Sequence, residues 1–523
     1  MHNSPHKFSI PEFRPFVPEK LRPWIILLFF VFFQLSGGVY LATASEMIGS
    51  LSLMQEDIMM SGYASLAGMA LVFTVMFRLK FRYTLKLSLM VCSSALVVCN
   101  LICIHTQSVP VLVITCFIAG IFRMWGTFAC NSTIQLWITP SRDMSVFFCY
   151  IHLFVQACMQ LSGLISVYIS FFAAWEYMHL LVIGLLCCMM FAVMTLFRSH
   201  RSIKKLPLYG IDWMGGLLWG ITILLLQFIC IYGEHYDWFE SVYIRAASIT
   251  VIVVLALNLW RASYIRHPYI ALSTWKHPVV YLTFLSYLVI HVLLAPSHIF
   301  EHLYMEAILG YESLNTISLN WVALIGVVAG SFFTYQTFAL RKWRYRTMNV
   351  IGFSFIAAYL ITFYFLIDYN LSKDLLALPI LLRSLGYVII GISYLTSLAR
   401  VPFPNFPQAL TIQAFVSAGF GGVFGTAIVG HILKLLTKSN AMVLGTTLDS
   451  VNPLASKMPL SDLYGILQQQ SLMVSMKELF GWLAILCIVC LLLFFLRESS
   501  IRPKYLIHPT YKAIRKLVAK QEM

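Results

Sequence analysis

About fourteen stretches, each roughly 20 residues long and nearly free of charge, recur along this 523-residue chain and leave it few ways to fold. They fall near 24–46, 58–77, 85–105, 109–138, 144–172, 176–197, 213–233, 242–260, 279–300, 314–340, 347–367, 375–399, 407–436 and 478–496. A run of that length crosses the ~30 Å hydrocarbon core of a bilayer as a helix, which satisfies its own backbone hydrogen bonds where water is absent. Transmembrane barrels are excluded, because their strands are short and alternate in polarity. Composition agrees. Only 11% of the residues are charged, where a soluble surface takes about 25%. The expected class is an all-α polytopic membrane protein, with the helix total turning on the pair within 213–260.

The net charge of +15 would suit nucleic acid, but its distribution assigns it elsewhere. If the N-terminus is cytoplasmic, the inside segments hold Arg14, Lys20 and Arg22, then Arg78, Lys80 and Arg82, Arg142, Arg198 to Lys205, Arg261, Arg266 and Lys276. Arg341, Lys342, Arg344, Arg346, Arg400 and the tail from Arg497 to Lys520 follow on the same side. The opposite segments are acidic or neutral: Glu56-Asp57, Glu234 to Glu240, Glu301 to Glu312 and Asp368. This is the positive-inside asymmetry. It predicts an inner (plasma) membrane protein with both termini cytoplasmic, its basic surplus held against anionic lipid, and no nucleic-acid partner. No short apolar core with a cleavage site precedes the first long run, so that run is expected to stay as helix 1. The 12 cysteines sit almost wholly inside apolar runs, as small hydrophobes.

Two halves of the chain echo each other. Lys80-Phe81-Arg82-Tyr83 follows the second stretch and Lys342-Trp343-Arg344-Tyr345 the tenth, both at expected cytoplasmic gating turns. Pro23 opens the first stretch and Pro278 the ninth; Glu46 and Glu301 lie equally far on. The fourth and twelfth each carry a lone arginine, Arg123 and Arg383. Parallel repeats of this kind hold substrate near the bilayer midplane, between halves that rock alternately. The expected organisation is a tail 1–23, a six-helix bundle 24–197, basic loops with two extra helices 198–277, a second six-helix bundle 278–496 and a basic tail 497–523.

Several motifs carry a resemblance: Asp212-Trp213-Met214-Gly215-Gly216, Arg266-His267-Pro268, Gly421-Gly422-Val423-Phe424-Gly425 and Gln468-Gln469-Gln470. With the layout, these make the chain resemble the major facilitator superfamily, specifically its fourteen-helix drug:proton antiporters of the EmrB/QacA type. The resemblance implies a two-bundle fold of 6+2+6 helices, a small-molecule substrate and a proton as coupling ion. There are departures. The loop at Phe77 to Tyr83 lacks the usual Asp and Gly. Ser162-Gly163 stands where the antiporter pattern has proline, and Gln34-Leu35-Ser36-Gly37-Gly38 where helix 1 usually has aspartate. Cys116 takes the place of a coupling arginine.

Arg123 is the sharpest candidate. An arginine near the membrane centre costs roughly 2.5–3.5 kcal/mol on insertion scales, so it must face the bundle interior or water and find a partner. It lies two turns from Cys116 on the same face and is expected to take over the missing role; a buried arginine bonding carbonyls, or Gln156 and Gln160, is the structural alternative. Proton coupling needs a carboxylate or imidazole, and Glu46, Glu301 and His152 are the nearest available, with His291 and His431 behind them. Gln34, Tyr40, Asn131, Asn320 and Gln413 would line a cavity or bond helix to helix. Small-residue steps at Gly421 and Gly425 suit a close helix contact. His298-Ile299-Phe300-Glu301-His302 spells a zinc-peptidase pattern, but no soluble domain surrounds it, and neither metal nor cofactor is expected. The segment 437–476 reads as a long outer loop; its resemblance implies docking to a periplasmic adaptor and an outer-membrane channel. No Walker loop is present, so ATP-driven transport is not expected, nor is an enzyme. The expected function is proton-coupled efflux of amphipathic molecules by alternating access, with transport of one specific solute, including uptake, as the alternative.

Overall fold

The computed structural model describes residues 10–200, 207–297, 303–368, 371–446, 458–496, 501 and 503. Among the described residues, twelve helices are long and apolar enough to cross a membrane, and two shorter apolar helices, Arg22–Leu35 and Pro278–Leu294, lie on the first and ninth expected stretches. The chain is a multi-pass, all-helical membrane protein. Its helices are α1 (Arg22–Leu35), α2 (Ala44–Leu51), α3 (Gln55–Leu71), α4 (Met76–Arg82), α5 (Leu85–His105), α6 (Val109–Ile138) and α7 (Met144–Phe172). Then come α8 (Glu176–Leu196), α9 (Trp213–Tyr232), α10 (Val242–Tyr264), the single turn α11 (Leu272–Trp275), α12 (Pro278–Leu294) and the short α13 (Ser313–Ile317). The last six are α14 (Asn320–Thr334), α15 (Tyr345–Leu366), α16 (Ala377–Leu398), α17 (Phe406–Ala414), α18 (Gly421–Gly445) and α19 (Leu460–Leu496). A π-helical segment, Phe415–Phe420, joins α17 to α18 without a break.

Burial sorts these helices into two cores. Phe29, Phe30 and Phe33 of α1 pack with Leu89 and Leu96 of α5, Cys130 and Ile134 of α6, and Met178, Leu186 and Val193 of α8. Ile290 of α12 packs with Phe353, Tyr359 and Phe363 of α15, Ile380 and Ile390 of α16, Val429 of α18 and Phe480 of α19. A third cluster ties them at one end: Leu71, Val75 and Leu79 meet Ile211, Tyr269, Leu398, Val401 and Phe406. That end gathers the basic turns, and we term it the basic end. There Lys342 is paired with Asp143, Tyr345 N–H donates to Ile501, and Lys86 donates to the Phe197 carbonyl.

Three sequence expectations change. Helix 1 does not run to residue 46. It stops at Leu35, because Gly38 takes φ +91, where a side chain would be strained, and lies so close to α6 that a Cβ would stand 3.3 Å from Cys116 Sγ. The segment 437–476 is not one long loop: α18 extends to Gly445 and α19 begins at Leu460. At 1.5 Å per residue α19 is about 55 Å long, well beyond a bilayer core. The tail expected over 1–23 is docked on the helices from residue 10 on. Ile10, Phe13 and Val17 are buried, Phe13 bridges to Phe197, and Arg22 donates to the Val17 and Ile10 carbonyls. His298 to His302 and all but two residues of the tail 497–523 lie outside the described residues.

Candidate functional site

The break in helix 1 builds the centre of the site. The last carbonyls of an α-helix lack intrahelical partners and carry its negative dipole end. Arg123 Nη2 takes the one on Gln34 at 2.7 Å and reaches Gln34 Oε1 at 3.4 Å. Gln34 Nε2 in turn donates to Thr127 Oγ1 at 3.1 Å, so the amide is oriented by α6 itself. Arg123 stands 14 residues from the start of the 30-residue α6, about 21 Å from that end at 1.5 Å per residue. Its Nε is buried with no hydrogen-bond partner, as is the hydroxyl of Tyr40. The sequence placed an arginine inside this helix, with a coupling role expected and a bond to carbonyls as the structural alternative. It did not show that the carbonyl is a helix end.

Arg123 faces a cavity of about 1940 Å³ lined by both halves. One wall comes from α1, the connection that follows it, α6 and α7, and includes Gln34, Tyr40, Thr127, Asn131, Gln156 and Gln160. The other comes from α12, α16, α17 and α18 and includes Tyr287, His291, Arg383, Tyr387 and Gln413. On the second wall Gln413 Nε2 donates to Tyr287 Oη at 3.1 Å, while His291 Nε2 is buried without a partner and Arg383 adds a charge. His291 is packed on the glycine steps of Gly421 and Gly425, which the small-residue spacing anticipated as a close contact. His152 reaches across the seam from α7. A Cβ on Gly391 of α16 would stand 2.6 Å from its Nε2, and that nitrogen is buried without a partner.

Other candidates sit away from the centre. Glu46 is exposed on α2, accepts from Ser45 Oγ at 2.8 Å and is not among the lining residues. Glu301 lies outside the described residues. Arg383 is the seventh residue of α16, so it stands nearer the N-terminal end of its helix than Arg123 does, although both lie about fifteen residues from the last residue of their helices. Among the described residues no cluster of three or more metal-ligating side chains occurs.

At the basic end the halves touch. Thr74 and Thr411 hydroxyls are 2.7 Å apart, the Phe77 and Phe403 rings 5.9 Å, and Lys342 donates to Asp143 and, at 2.9 Å, to Ser145 Oγ. Asp143 is the N-cap of α7, so one carboxylate caps a helix and holds the opposite half. Lys80 lines the cavity and donates to the Ser132 carbonyl at 2.9 Å. Burial lowers its ammonium to about 8, against an opposing pull from the Glu12 carboxylate. Arg82 is half-buried and Arg344 exposed beside these contacts.

The far end carries two features that sequence reasoning missed. Asp57, in the first turn of α3, is buried; it accepts from Met54 N–H at 3.0 Å and from the hydroxyl of Tyr232, the last residue of α9. Glu234 accepts from Lys434 at 2.6 Å, His431 at 2.9 Å and Trp238 at 2.8 Å. Burial pushes the Glu234 carboxyl up, but these donors outweigh it and hold it down at about 2. Between the ends, Gln227 of α9 donates to the carbonyls of Tyr63 at 3.0 Å and Gly419 at 2.5 Å, one in each half. Helix α9 is thus bonded to both halves.

No known family profile matches the chain, and no curated protein matches it. Solved structures do match in fold. A mutant of the nucleoside transporter NupG aligns over 90% of this chain and 99% of its own, with a TM-score of 0.54 and 13% identity. A structure of proton-dependent oligopeptide transporters aligns over 91% and 97%, at 0.57 and 12%. A bacterial homologue of the human lysosomal transporter Spinster, in an inward-facing and unoccupied conformation, aligns over 93% and 100%, at 0.51 and 12%. The fold is that of major-facilitator-type transporters.

Proposed function

We propose that this chain is a secondary active transporter of small amphipathic organic molecules, working by alternating access of the cavity at Arg123. The observation that carries the reading is that cavity. It lies between two separately packed cores, is lined by both, and holds a charged group at mid-depth. Neighbours in fold that transport nucleosides and peptides support it. Two six-helix halves with α9 and α10 as an accessory pair, and the basic end in the cytoplasm, complete the arrangement.

We propose outward movement coupled to protons, with His152 as the carrier, since it lines the cavity at the seam with a nitrogen left unbonded. Glu46 does not serve that role from its exposed position. Uptake of one solute is a second reading, favoured by the absence of proline at Ser162-Gly163. The projecting ends of α18 and α19, where Met442, Val443, Leu460 and Tyr464 are exposed, are the surface on which a periplasmic adaptor leading to an outer-membrane channel would dock. Co-purification of an adaptor that persists without 445–470 would count against that.

The test is purified protein in liposomes with an imposed pH gradient and a panel of amphipathic dyes and drugs. Gradient-dependent flux above that of empty liposomes is expected. No flux of any compound in either orientation of the gradient would refute the transporter reading.

A further inference from the structure

The cations whose partners are described fall into two kinds. Lys342, Arg261 and Lys434 each meet a carboxylate: Asp143, Asp212 and Glu234. Arg22 and Lys86 donate to backbone carbonyls near helix ends, and Arg123, alone of these at mid-helix, meets the carbonyl and amide oxygens of Gln34. Titratable side chains close enough to act on its charge are Tyr40 and Cys158, a phenol and a thiol that are neutral at physiological pH. Of the helices packed around it, α1, α6 and α7 contain no Asp or Glu, and neither does the Ser36–Thr43 connection, while α3 carries Glu56 and Asp57 in its first turn, with Asp57 bound by Tyr232. The carboxylates that line the cavity, Glu12, Glu56, Glu234 and Glu306, are not among the groups that act on the Arg123 charge. The end of α1 supplies about half an elementary charge, so part of the guanidinium charge stays uncompensated. A buried charge without its counter-charge is costly, and the cost falls when an anion arrives.

We infer that the cavity takes organic anions, amphipathic carboxylates above all, with the carboxylate head on Arg123 and the apolar body against the facing wall. Arg123 lines the cavity with Nε unpartnered, and the unpartnered Tyr40 hydroxyl lines it beside Gly37, where Arg123 Nη1 also lies. A carboxylate matches the planar fork of a guanidinium, and the hydroxyl adds a donor to the same head. Tyr287 and Tyr387 of the facing wall, with Phe147 and Met159 of α7 beside them, give the body an aromatic and thioether surface. This deepens the transporter reading by naming its substrate class, although binding itself does not require transport.

The test compares three probes that share one apolar body: naphthaleneacetic acid, its primary amide and the naphthylethylammonium ion. Binding to the full chain in zwitterionic nanodiscs is measured by equilibrium dialysis. Wild type is expected to bind the acid at least about tenfold more tightly than the amide or the ammonium. Arg123→Gln should bring the acid down to the level of the amide, and Arg123→Lys should retain part of the preference. Equal or tighter binding of the amide or ammonium to wild type overturns the inference, with no variant needed. So does a folded Arg123→Gln that keeps the preference. If liposomes carrying the protein move all three probes without regard to head group, the transporter reading survives and this one falls. Selective binding of the acid with no flux leaves this one standing and removes the other.

Discussion

The two walls of the cavity share an architecture and differ in how they carry polar groups through it. The wall of α1, α6 and α7 keeps a full charge at mid-depth, supported by a helix end that exists because Ser36-Gly37-Gly38 stops α1 early. The facing wall presents the neutral Tyr287–Gln413 pair and His291 packed on glycine, and carries an arginine elsewhere in its lining. That arginine, Arg383, stands nearer the N-terminal end of its helix than Arg123 does. In the proposed reading, one half fixes the ligand head while the body rests on a half that turns against it. Two walls with matched charges would grip the same head from both sides and oppose that turning.

The comparison can be broken most severely at Arg123. Arg123→Ala should lower liposome flux by more than about a hundredfold, the scale of losing a charged hydrogen bond and leaving helix-end carbonyls unpaired. Tyr287→Phe on the other wall should change flux little, while costing about 1–3 kcal/mol of stability through the stranded Gln413 amide, read as a lower melting temperature. Equal flux losses from the two would erase the distinction between the walls.

At the basic end, Asp143→Asn removes the partner of Lys342 and weakens the α7 cap together. A loss of about 3–5 kcal/mol is expected, as for other buried pairs broken from one side. A double-mutant cycle with Lys342→Met separates the pairing from the capping. Gly391→Val should push His152 out of its notch at about 1–3 kcal/mol; if His152 is the proton carrier, the pH dependence of flux shifts as well. Unchanged stability and pH profile would show that the seam does not hold the imidazole.

The smallest effect belongs to the far-end link. Glu234 has a folded-state value of about 2, below its ordinary 4.5. Its link to Lys434 therefore contributes fully above about pH 4.5 and fades as the pH falls toward 2. Glu234 is 38% exposed, so Glu234→Gln should cost at most about 1 kcal/mol at pH 7. The gap from wild type should narrow as the pH drops below 5. A gap that widens on acidification would contradict the assignment.

The apolar stretches made the helices legible, because the length needed to cross lipid is a strong physical constraint. Arg123 was legible by its cost, and the basic turns by their recurrence. The break after Leu35 was not, since hydropathy averages over Ser36-Gly37-Gly38 and sees only an apolar run. Helix in 437–445 and 460–476 escaped for the opposite reason: Asn440, Ser461 and Gln468 to Gln470 read as loop, yet Asn440 donates to Ser475 Oγ at 2.9 Å between two helices. Asp57 with Tyr232, and His152 with Gly391, bring together residues far apart in the chain, and no local pattern announces such a meeting. The docked segment from Ile10 to Val17 was hidden among prolines.

Movement of the two walls is the heart of this account, and a distance across the basic end reads it most directly. Spin labels introduced as non-natural amino acids at Arg78 and Pro404, beside the Thr74–Thr411 and Phe77–Phe403 contacts, are followed by pulsed electron resonance in nanodiscs. Two distance populations are expected, the shorter matching the contacts seen here and the longer an open basic end, with their ratio shifted by pH or by an added carboxylate probe. A single unchanging distance under every condition would contradict alternating access.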